Sequence, residues 1–102
     1  MQKELMHDLA KMREAAVVET LDECRKTRGI SYRDLAKASG ISHSTINDIF
    51  RRKQMKLWQV FVFAEGLNMS IREVTYLSDE RFREEYAQLH VTDAEIDVSS
   101  VV

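Results

Sequence analysis

GISYRDLAKASGISHSTINDIF, residues 29–50, is the stretch that decides the fold. Ser31 stands where a side-chain oxygen would cap a helix, and Asp34 follows three residues on in the position of a capping-box acid. The helix so started carries Leu35 and Ala36 toward a core and is expected to stop at Gly40. A tight turn there favours a positive φ, which glycine adopts without steric cost. Ser42 can cap a second helix, and Ile46, Ile49 and Phe50 recur at the spacing of one helical face. His43, Ser44, Asn47, Asp48 and Arg51 then share the opposite, outward face. Ala36 suits a close crossing of the two helices, and Ile41 plugs the joint between them. Two short helices joined by a glycine turn with these offsets make a helix-turn-helix pattern.

On either side of this unit the chain also reads as helical. It has three glycines and no proline, with no alternating strand pattern before residue 90. Residues 3–28 contain no breaker until Gly29, which is placed to close the helix in a left-handed conformation. Their apolar stripe runs Leu5, Leu9, Met12, Ala16 and then shifts to Val17, Leu21, Cys24. One long helix facing two neighbours fits this shift, as do two helices meeting near residues 14–16. A fourth helix, about 56–67, is expected to bury Leu57, Val60, Phe61, Ala64 and Leu67 and to end at Asn68. Ser70 and Glu73 form a capping box for a fifth helix carrying Ile71, Val74 and Leu77. Ser78 is placed to cap a sixth, with Phe82, Tyr86 and Leu89 at i, i+4, i+7. The remainder reads as tail with a short helix capped by Thr92 and Glu95. The fold class is therefore all-α.

A charged fraction of 31% against 44% hydrophobic is a globular balance, and 102 residues suit one domain. The net charge of −2 would by itself argue against a polyanionic partner, but its distribution reverses that reading. Residues 1–24 carry −3, residues 25–56 carry +7 and residues 57–102 carry −6. A basic centre between acidic flanks is a footprint for nucleic acid. No apolar run approaches the roughly 20 residues of a membrane span, and the charged N-terminus supplies no signal-peptide core. A cytoplasmic, soluble, single-domain protein is expected. Cys24 stands alone, which excludes an intramolecular disulfide, and His7 and His90 have no ligand-like spacing to it. Neither a metal nor a cofactor is expected. No paired carboxylates, nucleophile–base set or glycine-rich phosphate loop suggests an enzyme.

From about Val17 to Leu77 the sequence resembles the lambda-repressor-like, Cro-type (xenobiotic-response-element) helix-turn-helix regulators. The lead-in TRGIS, the turn LAKASGIS and the closing AEGLNMSIREVTYL carry the resemblance. It implies a five-helix DNA-binding domain over residues 17–77, with a helical extension at 1–16 and an extra helix plus acidic tail at 78–102. It also implies a dimeric bacterial or phage transcription factor acting on a two-fold operator. By resemblance Ser42, His43, Ser44, Asn47 and Asp48 occupy base-reading positions, and Cys24 falls where the family places a core leucine. Arg51, Arg52, Lys53 and Lys37 would meet phosphates, with the hydroxyl of Tyr32 as a further donor. The chain departs from the pattern at three places. Tyr32 replaces a usual glutamine, Arg52 a frequent helix-ending glycine and Met55 a frequent proline. Arg52 is expected either to extend the helix or to accept left-handed strain. Asp48, which would repel phosphate, needs a partner, and Arg52 at i+4 is available.

Several of these features also have plainer readings. A run such as Arg51-Arg52-Lys53 commonly does no more than complement the C-terminal helix dipole. Trp58 and Val62 lie about 100–140° from the expected inner face of the fourth helix. Either a flanking helix covers them, or they join Leu5, Leu9 and Met12 or Phe82, Tyr86 and Leu89 in a dimer interface. The function expected is a DNA-binding regulator that represses by occupying an operator. The alternative is a helix-turn-helix kept as a protein-interaction module, such as an antitoxin whose flanking segments bind a protein partner.

Overall fold

The structure is a computed structural model and describes residues 2–89. Five helices follow one another, with no strand among the described residues: α1 (Lys3–Thr27), α2 (Tyr32–Ser39), α3 (His43–Arg52), α4 (Leu57–Gly66) and α5 (Ile71–Leu89). The expected tail helix at Thr92 and Glu95, like His90, lies outside the described residues.

Local sequence accounts for most helix ends. The Ser31 hydroxyl accepts from Asp34 N at 3.0 Å while the Asp34 carboxylate accepts from Ser31 N at 3.2 Å. Ser70 and Glu73 repeat this reciprocal box at the start of α5. Both acids sit below the usual carboxylate range, chiefly because each accepts the backbone N–H of its cap serine. Gly29, Gly40 and Asn68 all adopt positive φ, as their positions required.

One open alternative is decided and two expectations are corrected. α1 is a single helix, so the shift in its apolar stripe serves two neighbours along one rod of about 37 Å. α5 is likewise continuous, and there is no sixth helix. Ser78 does not cap; it is buried within α5, and its hydroxyl donates to Val74 O at 2.6 Å. A serine bonded back to the preceding turn leaves its own N–H free to continue the ladder. Helix breaks therefore fall at neither 16/17 nor 77/78. The inner face of α4 is also rotated from the expected one. Gln59, Phe63 and Ala64 are buried and Val60 half-buried, whereas Leu57 is 71% and Phe61 48% exposed.

The core gathers Val18 and Leu21 of α1, Leu35 of α2, Ile46 and Phe50 of α3, Phe63 and Leu67 of α4 and Val74 of α5. Ile41 fills the α2–α3 joint and Cys24 packs half-buried at the core edge. α1 packs most extensively on α5, and shorter contacts tie both to α4. Arg13 reaches over the Phe82 ring, 4.1 Å from its centroid, and pairs with Asp79 at 2.9 Å. The body is elongated, 48 × 26 × 20 Å.

Candidate nucleic-acid interface

α3 is held from beneath and bare above. Ile46, Ile49 and Phe50 are buried in the core, and the opposite face exposes His43, Ser44, Asn47, Asp48 and Arg51 together. No flanking segment among the described residues roofs this face. Phe50 is pinned on both sides, since Tyr32 stacks on it at 5.2 Å with 6° between the planes and Phe63 lies 5.8 Å away.

The exposed side chains are bonded to one another. Asn47 Nδ2 lies 3.1 Å from His43 Nδ1, so a neutral His43 with its proton on Nε2 accepts from the amide. The second Nδ2 hydrogen and the Oδ1 of Asn47 remain available. Asp48 pairs at 2.8 Å with Arg51 (i+3), where Arg52 had been expected. That hydrogen bond, helped by the charges of Arg51 and Arg52, holds the Asp48 carboxyl below its usual range. Ser42 acts as the helix cap, accepting from Thr45 N at 3.2 Å and donating to Thr45 Oγ1 at 2.8 Å. Ser44 lies 3.3 Å from the same hydroxyl.

Among the basic residues, Lys37 and Arg52 are exposed, and neither takes part in an ion pair among the described residues. Lys53 is different. It, rather than Arg52, takes the left-handed conformation that ends α3, with φ 57°. Its ammonium meets Glu19 of α1 at 2.8 Å, which raises its pKa. Burial opposes ionisation of Glu19, but the bond from Lys53, the neighbouring Glu85 carboxyl and the charges of Lys53 and Arg81 outweigh it and keep the carboxyl below its usual range. Burial, and then the neighbouring Glu19, push the Glu85 carboxyl up. Tyr32 points its hydroxyl toward Asp22 at 3.4 Å, and its ring lies 4.2 Å from the Arg25 guanidinium carbon. Burial, followed by the charge of Asp22, raises its pKa. This tyrosine props α3 from behind.

No spacing within the sequence hints at how the α3–α4 turn is held. Glu14 of α1 accepts from Met55 N at 3.1 Å, so the absent proline is replaced by a tether from a helix 41 residues away. Glu14, Thr45, Arg52, Gln54, Lys56 and Gln59 line a shallow groove there, beside the exposed face of α3. Lys56 adds a cation beyond the expected set. Its signal was the basic run continuing past Lys53, which a purely helical reading of α3 cuts off. Of the residues expected at an apolar interface, Phe82 is buried under Arg13 and Val62 packs half-buried against the core. Leu9 and Met12 are half-buried, and Leu5, Trp58, Tyr86 and Leu89 are exposed. No helix among the described residues is long and apolar enough to cross a membrane.

Residues 21–56, from the second half of α1 through α2 and α3 to the threshold of α4, match the model of the helix-turn-helix family. Neither the curated proteins nor the solved structures yielded a match. The geometry of α2 and α3 and this match agree: over residues 21–56 the chain carries a helix-turn-helix domain of the XRE/Cro/C1 type.

Proposed function

We propose that the chain is a sequence-specific DNA-binding regulator that represses transcription by placing α3 in the major groove of an operator, two copies per site. One observation carries this reading: the polar face of α3 stands uncovered on a +7 segment inside an otherwise acidic chain. The first turns of such a helix meet base edges. Asn47, oriented by His43, suits adenine N6 and N7, and Ser44 suits several edges. Asp48 can accept from cytosine N4, and doing so would release Arg51 to a phosphate. Lys37 and Arg52 are ready for phosphates, and Lys53 becomes so by leaving Glu19. Ser42 is needed as a cap, which limits its part to its position at the groove edge. Tyr32 contributes by supporting α3.

Selection of bound duplexes from a random pool tests the reading. Enrichment of a two-fold site, with affinity falling steeply as salt rises, is expected. Arg52→Ala should lower the salt slope by about one unit and weaken all sequences alike. Asn47→Ala should relax preference at one base pair by about 1–3 kcal/mol. Absence of enrichment, or binding insensitive to salt, would refute the proposal. A second reading, a module that contacts protein, is favoured by the exposed Leu57, Trp58 and Phe61, and it predicts no duplex enrichment at all.

A further inference from the structure

Three elements bring their charges to one point beside the end of α3. α1 supplies Glu19, the residue that closes α3 is Lys53, and α5 supplies Glu85 and Arg81. The Lys53 ammonium meets Glu19 Oε2 at 2.8 Å, while half of the lysine side chain stays in solvent. The other carboxylate oxygen, Glu19 Oε1, is buried and receives no hydrogen bond among the described residues. A buried oxygen left without a donor is costly. The group beside Glu19 is the carboxyl of Glu85, an acceptor while ionised and a donor once protonated. One proton held between the two carboxyls would satisfy Oε1 and remove the repulsion of like charges. Lys53 opposes its uptake, because its ammonium balances the pair from the Oε2 side, with Arg81 as the second cation.

We infer that Glu19 and Glu85 form a proton-accepting pair that releases Lys53 to a DNA phosphate, so that binding of a duplex takes up a proton from solvent. The inference rests on the reading of Lys53 as a phosphate contact. Once Lys53 has exchanged Glu19 for a phosphate, the two carboxylates face Arg81 alone, and one of them binds a proton. That proton bridges Glu85 to the vacated Glu19 and supplies the donor that Oε1 lacks. Glu19 and Glu85 are thus positioning residues, which act on DNA only through Lys53. The sign follows from linkage. The bound state holds more protons than the free state, so affinity rises as pH falls from neutral toward the carboxylate range. It levels off in stronger acid, where the free pair already carries the proton.

Affinity of the full chain for a mixed-sequence DNA duplex, measured against pH at constant salt, tests this inference, since phosphate contacts form whatever the sequence. The wild type should tighten by up to about tenfold per pH unit, the limit for one proton. Glu85→Gln, whose amide donates to Oε1 at every pH, should bind at neutral pH about as tightly as the wild type does in acid, and should lose most of the slope. Glu84→Gln, an exposed neighbour with the same change of charge, should keep the wild-type slope. A slope unchanged in Glu85→Gln, or lost equally in Glu84→Gln, would overturn the inference. A second arm without DNA separates its failure from that of the DNA-binding reading. Carboxyl-carbon NMR of the free chain should show the pair taking its first proton at higher pH in Lys53→Met than in the wild type, because a balancing cation is gone. No displacement would overturn the pair itself. A displacement in a chain that binds no duplex would overturn the inference through the DNA-binding reading beneath it.

Discussion

α3 and α4 are consecutive helices of ten residues each, and they divide their surfaces in opposite ways. α3 is apolar beneath and polar above, so its periodicity alone named the buried residues and the exposed ones. α4 is apolar nearly all round: Leu57, Trp58, Val60, Phe61, Val62 and Phe63 leave several inward faces equally plausible. The sequence reading chose Leu57 and Phe61, whereas the fold uses Phe63 and Gln59. Periodicity reports a face when there is contrast across the helix. Without contrast, the neighbours that happen to be present decide.

The largest effects should come from the inner residues of both helices. Phe63→Ala should cost about 3–5 kcal/mol and Ile46→Ala about 2–5 kcal/mol in urea unfolding, since both side chains are fully buried. Phe61→Ala and Asn47→Ala, on the outer faces, should stay within about 0.5 kcal/mol in the monomer. Equal losses for Phe61 and Phe63 would reverse the assigned rotation of α4.

The two helices also start differently. Ser42 caps α3 with its own side chain, while Lys56 N at the start of α4 donates to the Gln59 side chain at 2.9 Å. Ser42→Ala and Gln59→Ala should therefore each cost about 1 kcal/mol, and Lys56→Ala much less. A larger loss for Lys56→Ala in chemical denaturation would show that α4 too begins on a conventional cap.

Glycine substitutions separate backbone strain from crowding. At Gly40, φ is +75° and no atom lies within 4 Å of an added Cβ, so Gly40→Ala should destabilise by roughly 1 kcal/mol through the backbone alone. Gly66 is helical and a Cβ there meets Leu35 Cδ1 at an ordinary 3.6 Å. Gly66→Ala should stabilise by about 0.5 kcal/mol. Thermal unfolding of both variants measures the difference in sign.

The smallest effects concern pH. Asp34 and Glu73 have folded pKa values below their unfolded ones, so they stabilise the fold above the ordinary carboxylate range. That contribution is lost as pH falls through their lowered values. Glu85 works the other way. Its raised folded pKa favours the fold at low pH, and the advantage disappears as pH rises through it. Glu85→Gln should stabilise slightly at pH 7 and have no such benefit at pH 3. A stability profile of the two proteins that runs parallel from pH 3 to 7 would remove Glu19 and Glu85 from contact.

Helix number shows a similar division between local and distant information. Ser31, Ser42 and Ser70 sit before helices with a turn residue behind them, and each was readable as a cap. Ser78 offered the same chemistry with no preceding glycine or asparagine to break α5. Its hydroxyl turned back to Val74, and the helix ran on. Within the candidate interface, the exposed set on α3 was legible because it is the complement of Ile46, Ile49 and Phe50. The pairing inside that set was less so: Asp48 found Arg51 at i+3 in place of Arg52 at i+4, since both lie within reach on a helix.

Local chemistry in the sequence determined the all-helical class, the capped turn between α2 and α3, the positions of positive φ at Gly29, Gly40 and Asn68, and the polar face that α3 presents. Each depends on residues within about four positions of one another. Only the tertiary structure decided which way α4 rolls, that Glu14 and Glu19 of α1 secure the α3–α4 turn, and that Tyr32 braces Phe50 while its hydroxyl points to Asp22. The two α1 tethers join residues 34 and 41 positions apart. No spacing rule along the chain encodes such a meeting; it follows from how one long helix lies across the packed core.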